Sequence, residues 1–321
     1  MPKMMKNYDF RPEKAYGSIG VMGVMSALKK VLPGGAVAIA LTLAPAAWAA
    51  RFTDTIVVID ESGSMYGEQA WIGGMINDLD LALQAAGVTN NQYGLVGYGG
   101  TGNKLLGHSY DVGGGFFGGA SDFASATSQL TTSGGFEDGY QALDYALNNY
   151  SFREGAAVNL ILVTDEDRDI HSSAQNLTYQ TILGEFQNQN NALLNAVINS
   201  SFADVTGNGV LGVDFLGNGY RADGTGGFIQ TTGGVAVSGW GSTKTDYVDL
   251  AWATNGAAWD LNLLRSGGDT ATSFTNAFVD VKVTEITNHG VKVPEPGTVL
   301  GLVGVGAFGI GSTLKRKHKK A

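Results

Sequence analysis

Two stretches of the chain are apolar at almost every position, residues 55–59 (TIVVI) and 156–164 (AAVNLILVT). A strand with apolar residues on successive positions buries both faces, as in a parallel sheet covered by helices on either side. Each run ends at an aspartate, Asp60 and Asp165. Between them Trp71, Ile72, Met75, Ile76, Leu79, Leu83 and Ala86 recur at intervals of mostly three and four residues, which predicts a helix over 68–86 with one buried face. The same reading predicts strands at 93–98, 108–112, 192–199 and 256–261, and helices at 121–130, 137–150, 178–190, 245–253 and 270–283. Strands alternating with helices on this scale predict an α/β fold with a doubly wound, mostly parallel sheet. Residues 202–242 break the alternation: glycine occupies twelve of 41 positions between short β-branched and aromatic runs. A Gly-rich β insertion of hairpins or ordered loop is expected there.

Composition supports a single folded domain. Only 15% of the 321 residues are charged, and 14 Phe, 12 Tyr and 5 Trp supply ample apolar surface for a core. The absence of cysteine excludes disulfides, thiolate metal sites and a cysteine nucleophile.

The two ends differ from this middle. Residues 1–49 place a basic segment before an apolar stretch at 31–43 and an Ala47-Trp48-Ala49 cleavage site, which reads as a signal peptide. Near the C-terminus Pro294-Glu295-Pro296 precedes eighteen uncharged residues, 297–314, and a basic tail from Lys315 to Lys320. Eighteen residues make a helix of about 27 Å, close to the hydrocarbon thickness of a bilayer. A transmembrane helix is therefore expected at 297–314, anchoring the chain until it is processed, with the basic tail held in the cytoplasm and the body outside. The order of Pro-Glu-Pro, apolar helix and basic tail resembles the PEP-CTERM sorting signal of exported bacterial proteins. That resemblance implies recognition by an exosortase-type processing enzyme and delivery to the cell envelope or surface, or release. The expected organisation is a signal peptide at 1–49, one domain at 50–293 and the sorting signal at 294–321.

Charge sharpens the picture. The whole chain carries a net charge of −9, but the segment 50–293 holds nine basic and 26 acidic residues, a net −17. Such a domain is a poor partner for nucleic acid and raises the local concentration of divalent cations.

In an open parallel sheet the functional crevice lies beyond the carboxyl ends of the strands, where Asp60 and Asp165 fall. Asp60-x-Ser62-x-Ser64 offers a carboxylate and two hydroxyls on one loop, hard oxygen donors suited to Mg²⁺, Ca²⁺ or Mn²⁺. This pattern after TIVVI, with ILVTD ending at Asp165, resembles a von Willebrand factor type A domain and its metal-ion-dependent adhesion site. The family's Gly-Gly-Thr-x-Thr-Gly loop corresponds here to Gly134-Gly135-Phe136-Glu137-Asp138-Gly139, which lacks the threonine ligand. Integrin β I-like domains use a glutamate in a similar segment, and that likeness puts Glu137 in the ligand position. The metal site implied by the resemblance is thus Asp60, Ser62, Ser64, Glu137 and Asp165, with Asp165 binding directly or through water. Glu68 falls near where integrin β domains place an acid for an adjacent metal. Asp167, Arg168 and Asp169 are expected as a charged rim, and Asp204 opens a segment resembling a calcium loop.

The function expected from these features is non-enzymatic. An exported, surface-directed domain would capture an acidic group on a protein or surface polymer through a divalent cation. The alternative is a structural protein of the extracellular polymer matrix without a discrete ligand.

Overall fold

The computed structural model describes residues 51–172 and 176–289. The expected signal peptide at 1–49, the sorting signal at 294–321 and its apolar helix at 297–314 lie outside the described residues. Among the described residues no helix is long and apolar enough to cross a membrane.

The two apolar runs form neighbouring strands at the centre of a nine-stranded sheet. β1 (Thr53–Asp60) and β4 (Ala157–Thr164) are buried at all eight of their positions and pair in parallel. β2 (Gln92–Tyr98) flanks β1, while β5 (Leu193–Ile198) and then β12 (Ala257–Asp260) continue beyond β4, all parallel. A short antiparallel β3 (His108–Ser109) closes the edge beside β2. The order β12-β5-β4-β1-β2-β3 reverses direction between β1 and β4, so the sheet has its switch point there.

Helices cover both faces, and the pleat of β1 shows why its run is continuous. Val57 and Ile59 join one core with helix α1 (Gln69–Ala85) and helix α7 (Gly268–Asn288). Ile56 and Val58 point the other way, into a core with α3 (Gly139–Asn149), α4 (Tyr179–Asn188) and α5 (Asp249–Ala253). Alternate residues of one strand feed different cores, so the middle of the strand is apolar on successive positions, and a buried polar residue such as Asn159 of β4 is hydrogen-bonded to Thr53 and Ala157.

Three elements differ from expectation. The strand foreseen at 108–112 shortens to two residues, and Val112 turns into the loop, its N–H donating to the Gly115 carbonyl. The helix foreseen at 121–130 is α2 (Ala120–Ala126) ending in a 3₁₀ turn over Thr127–Gln129. That foreseen at 245–253 opens with a π-helical turn, Lys244–Val248, before α5. A short helix not foreseen, α6 (Leu261–Arg265), follows β12.

The Gly-rich insertion is β structure that divides between two sheets. β8 (Gly212–Asp214), β9 (Gly219–Ala222) and β10 (Phe228–Thr231) extend the main sheet antiparallel beyond β12. β6 (Ser200–Ala203), β7 (Gly209–Val210) and β11 (Val235–Gly239) form a separate three-stranded sheet. One device recurs at its turns. Asp204, Asp214 and Asp223 each accept backbone N–H bonds from the residues two and four positions later. A glycine at positive φ follows three residues after each, at 207, 217 and 226. Asp204 therefore holds its own turn, with Oδ1 taken up by Thr206 and Asn208.

Candidate functional site

β1 delivers Asp60 to its carboxyl end with the side chain fully buried. The chain turns at once, and the Ser62 N–H donates to Asp60 Oδ1 at 2.7 Å, while the Thr164 hydroxyl at the end of β4 donates to Oδ2 at 2.8 Å. Adjacent parallel strands thus place the aspartate and the hydroxyl that fixes it. The Ser62 and Ser64 hydroxyls lie 3.0 Å apart, and Ser64 donates to Asp165 Oδ1 at 2.8 Å. Ser64 commits its one proton to that carboxylate, so Ser62 donates in the bond between the two serines and Ser64 keeps one lone pair.

Glu137 enters from the loop before α3, also buried. Its carboxyl lies close enough to Asp60 to be repelled by it. Glu137 is positioned by the loop after β4: the Asp169 N–H donates to the Glu137 carbonyl at 2.7 Å, and the Glu137 N–H donates to Asp169 Oδ2 at 3.4 Å. The next residue, Asp138, caps α3 by accepting from the Gln141 N–H. It also accepts from Arg168 Nε at 2.7 Å and from the His171 N–H at 3.1 Å. Arg168 is therefore no rim residue. Its side chain is 7% exposed, lies over the Tyr140 ring and clamps two loops together.

The carboxyls of the site bear the marks of confinement. Burial, and to a smaller degree the Asp165 charge, pushes Asp60 up to about 6 against the hydrogen bonds from Ser62 and Thr164. Burial followed by repulsion from Asp60, Asp169 and Glu166 pushes Glu137 up to about 8. Two carboxylates facing one another with two hydroxyls form a donor set of hard oxygens, which fits a divalent cation. Among the described residues no group of three or more His, Asp or Glu side chains is arranged to hold a metal, so such a site depends on the serine hydroxyls.

An open cleft of about 410 Å³ lies over these groups, lined by Ser62, Ser64, Glu137, Glu166 and Asp169 with three glycines. Beneath it Gly99 fits against the pair of carboxyls: a Cβ there would stand 2.9 Å from Asp60 Oδ1 and 3.3 Å from Glu137 Cγ. Its φ of 76° independently favours glycine.

Of the five residues singled out in the sequence, Asp60, Ser62, Ser64 and Asp165 form one hydrogen-bonded chain, and Glu137 faces Ser62 and Asp60. Asp165 spends both oxygens inside the protein, Oδ1 on Ser64 and Oδ2 on Arg265 Nη2 at 3.0 Å. Glu68 also pairs with Arg265, through Nε. Thr164, Glu166, Gly99 and Arg265 were missed. Thr164 could have been found as the residue before Asp165, whereas Arg265 is 100 residues from its partner and has no local signal.

Glu61, next to Asp60, turns to the opposite side of the loop. The Thr131 N–H and hydroxyl donate to its Oε1 at 2.7 and 2.9 Å, Tyr110 adds a third bond, and His108 Nε2 stands 2.9 Å from Oε2. Burial alone would raise this carboxyl, but the bonds from His108, Tyr110 and Thr131 hold it down at about 2. It is an anchor that fixes the loop carrying Ser62 and Ser64.

Comparison with known proteins bears chiefly on the C-terminus. Among curated proteins nothing matches. Among solved structures the chain is similar to proximal thread matrix protein 1 from the mussel byssus, with 15% identity and a TM-score of 0.34 over 47% of this chain and 38% of that one. The chain thus spans about two fifths of that protein's length, and a likeness this slight carries no argument. Residues 292–317 match the PEP-CTERM protein-sorting motif. That motif implies export to the cell surface and processing by an exosortase.

Proposed function

We propose that this exported chain is a binding protein of the von Willebrand A type. In this reading its α/β domain holds a divalent cation on Asp60, Ser62, Ser64 and Glu137 and captures an acidic group of a partner protein or surface polymer. Asp165 serves as the group that orients Ser64 and its remaining lone pair. The observation that supports this reading is the meeting of two buried, upward-shifted carboxyls with two serine hydroxyls beneath an open cleft. A cation bound there would offset the burial, and the smaller repulsion, that raise both carboxyls, and it would present a positive charge on a domain that is otherwise strongly acidic.

The test is calorimetric titration of MgCl₂, CaCl₂ and MnCl₂ into the full chain in detergent, alongside Asp60→Ala and Ser62→Ala. One-site binding lost in both variants is expected. A folded wild-type chain that binds none of the three ions rules the proposal out and favours a structural role in the extracellular matrix.

A further inference from the structure

At the end of the sheet opposite Asp60 lies a larger cavity, of about 620 Å³. It sits where β5 begins at Leu193 and where Asn255 leads into β12, so it opens at the amino ends of the parallel strands. The C-terminal half of α7 and the β8–β9 turn of the insertion supply the remaining walls. Its volume falls in the range of small-ligand sites.

The lining has an unusual chemistry. Asn191, Gln230, Asn255 and Asn288 contribute carboxamides, each carrying both a donor and an acceptor. Asp280 and Glu285 add carboxylates, and Phe215 presents a ring that is 44% exposed. Glu285 is the deepest polar group, with a side chain only 6% exposed. Its Oε2 is satisfied by Asn195 Nδ2 at 2.7 Å and Lys282 Nζ at 3.1 Å. Its Oε1 is buried and has no hydrogen-bond partner among the described residues, a costly state for an acceptor in the wall of the cavity. Asp214, by contrast, is fully used by its own turn and by the Tyr220 hydroxyl, so it is part of the wall.

We propose that this cavity binds a neutral, hydroxyl-rich glycan unit. A hydroxyl both donates and accepts, as the carboxamides do, and the exposed Asp280 carboxylate accepts from a hydroxyl. The exposed Phe215 ring offers an apolar face for the C–H side of a sugar ring. A bare cation would leave the amide N–H groups without acceptors, and a uronate would be repelled by Asp280, whereas the Glu285 charge is already balanced by Lys282. This site is separate from the cleft over Asp60, and its occupancy does not rest on a metal.

The experiment is saturation-transfer NMR and calorimetry on the full chain in detergent with EDTA present. The probes are neutral tetrasaccharides of glucose, mannose and galactose, with tetragalacturonate and spermidine as comparators. Gln230→Ala and Asp280→Ala change exposed side chains of the lining and are expected to keep the fold. At least one neutral tetrasaccharide should bind, and each variant should weaken it by roughly tenfold or more, while Asp60→Ala leaves it unchanged. No tetrasaccharide binding, binding unmoved by both variants, or binding confined to tetragalacturonate or spermidine would overturn the proposal.

Discussion

Arg265 Nη2 lies 3.0 Å from Asp165 Oδ2, joining the end of α6 to the end of β4 across 100 residues of sequence. The same guanidinium reaches Glu68 through Nε and the Ser64 carbonyl through Nη2 at 3.1 Å. One cation therefore neutralises two buried acids at the border of the cleft and holds the Ser64 loop in place. Asp60 and Glu137, a few ångströms away, have no such partner among the described residues, which is where a bound cation would act.

Replacing Arg265 by alanine removes the ionic partner of the buried Glu68 and Asp165 and leaves Asp165 only the Ser64 hydroxyl. Loss of charge-assisted hydrogen bonds costs about 1.5–3 kcal/mol each when fully buried, and the arginine is 30% exposed, so a loss of about 2 kcal/mol is expected. Urea unfolding at neutral pH measures it. An unchanged midpoint would mean that the pair is only a surface contact.

The raised carboxyls set a pH dependence. A carboxyl whose pKa is higher folded than unfolded binds more protons in the native state, so stability falls as pH rises from its unfolded value through its folded one. For Asp60, at about 6, and Glu137, at about 8, the metal-free domain should lose stability between about pH 4 and 8. Glu61, held at about 2, acts in the opposite sense: its contribution is present above about 4.5 and is lost as pH falls toward 2. Denaturant titrations in EDTA at pH 5 and 8 should show the lower stability at pH 8, and saturating Mg²⁺ or Ca²⁺ should reduce the difference. Equal stability at both values with EDTA would show that the two carboxyls are not confined together.

Gly99→Ala places a methyl group against Asp60 and Glu137 at a backbone φ of 76°. Strain of roughly 1–3 kcal/mol is expected, together with loss of divalent-cation binding, because the two carboxyls must move apart. Circular dichroism melting and cation calorimetry check the two effects separately. Wild-type cation affinity in the variant would remove Gly99 from the site.

Trp259 on β12 stacks on Tyr220 of the insertion, with ring centroids 5.7 Å apart, and packs against Phe274 and Phe278 of α7. It is fully buried. Trp259→Ala should cost about 3–5 kcal/mol and loosen the insertion, read as faster hydrogen exchange in β8 and β9. Destabilisation without that local change would mean that the insertion holds itself in place.

The fold was legible wherever burial imposes a repeating pattern. Continuous apolar runs exposed β1 and β4, because a strand between two helical layers buries both of its faces. Three- and four-residue spacing exposed α1, because one helix face meets the sheet. The Gly-rich segment was legible as β structure but not in its division between two sheets, since turn residues state where a chain reverses and not which edge it joins. Asp60, Ser62 and Ser64 could be read because one loop carries all three.

What the sequence by itself determined is the layered α/β architecture, the loop at the end of β1 and the sorting motif at the C-terminus, each written in residues close to one another along the chain. Only the tertiary structure decided that Asp165 is spent on Ser64 and Arg265, that Arg168 clamps Asp138, and that Glu285 pairs with Lys282 and Asn195 in the wall of a cavity lined with carboxamides. These pairings join residues tens to a hundred positions apart, and their energies depend on distance and burial, which the order of residues along a chain does not carry.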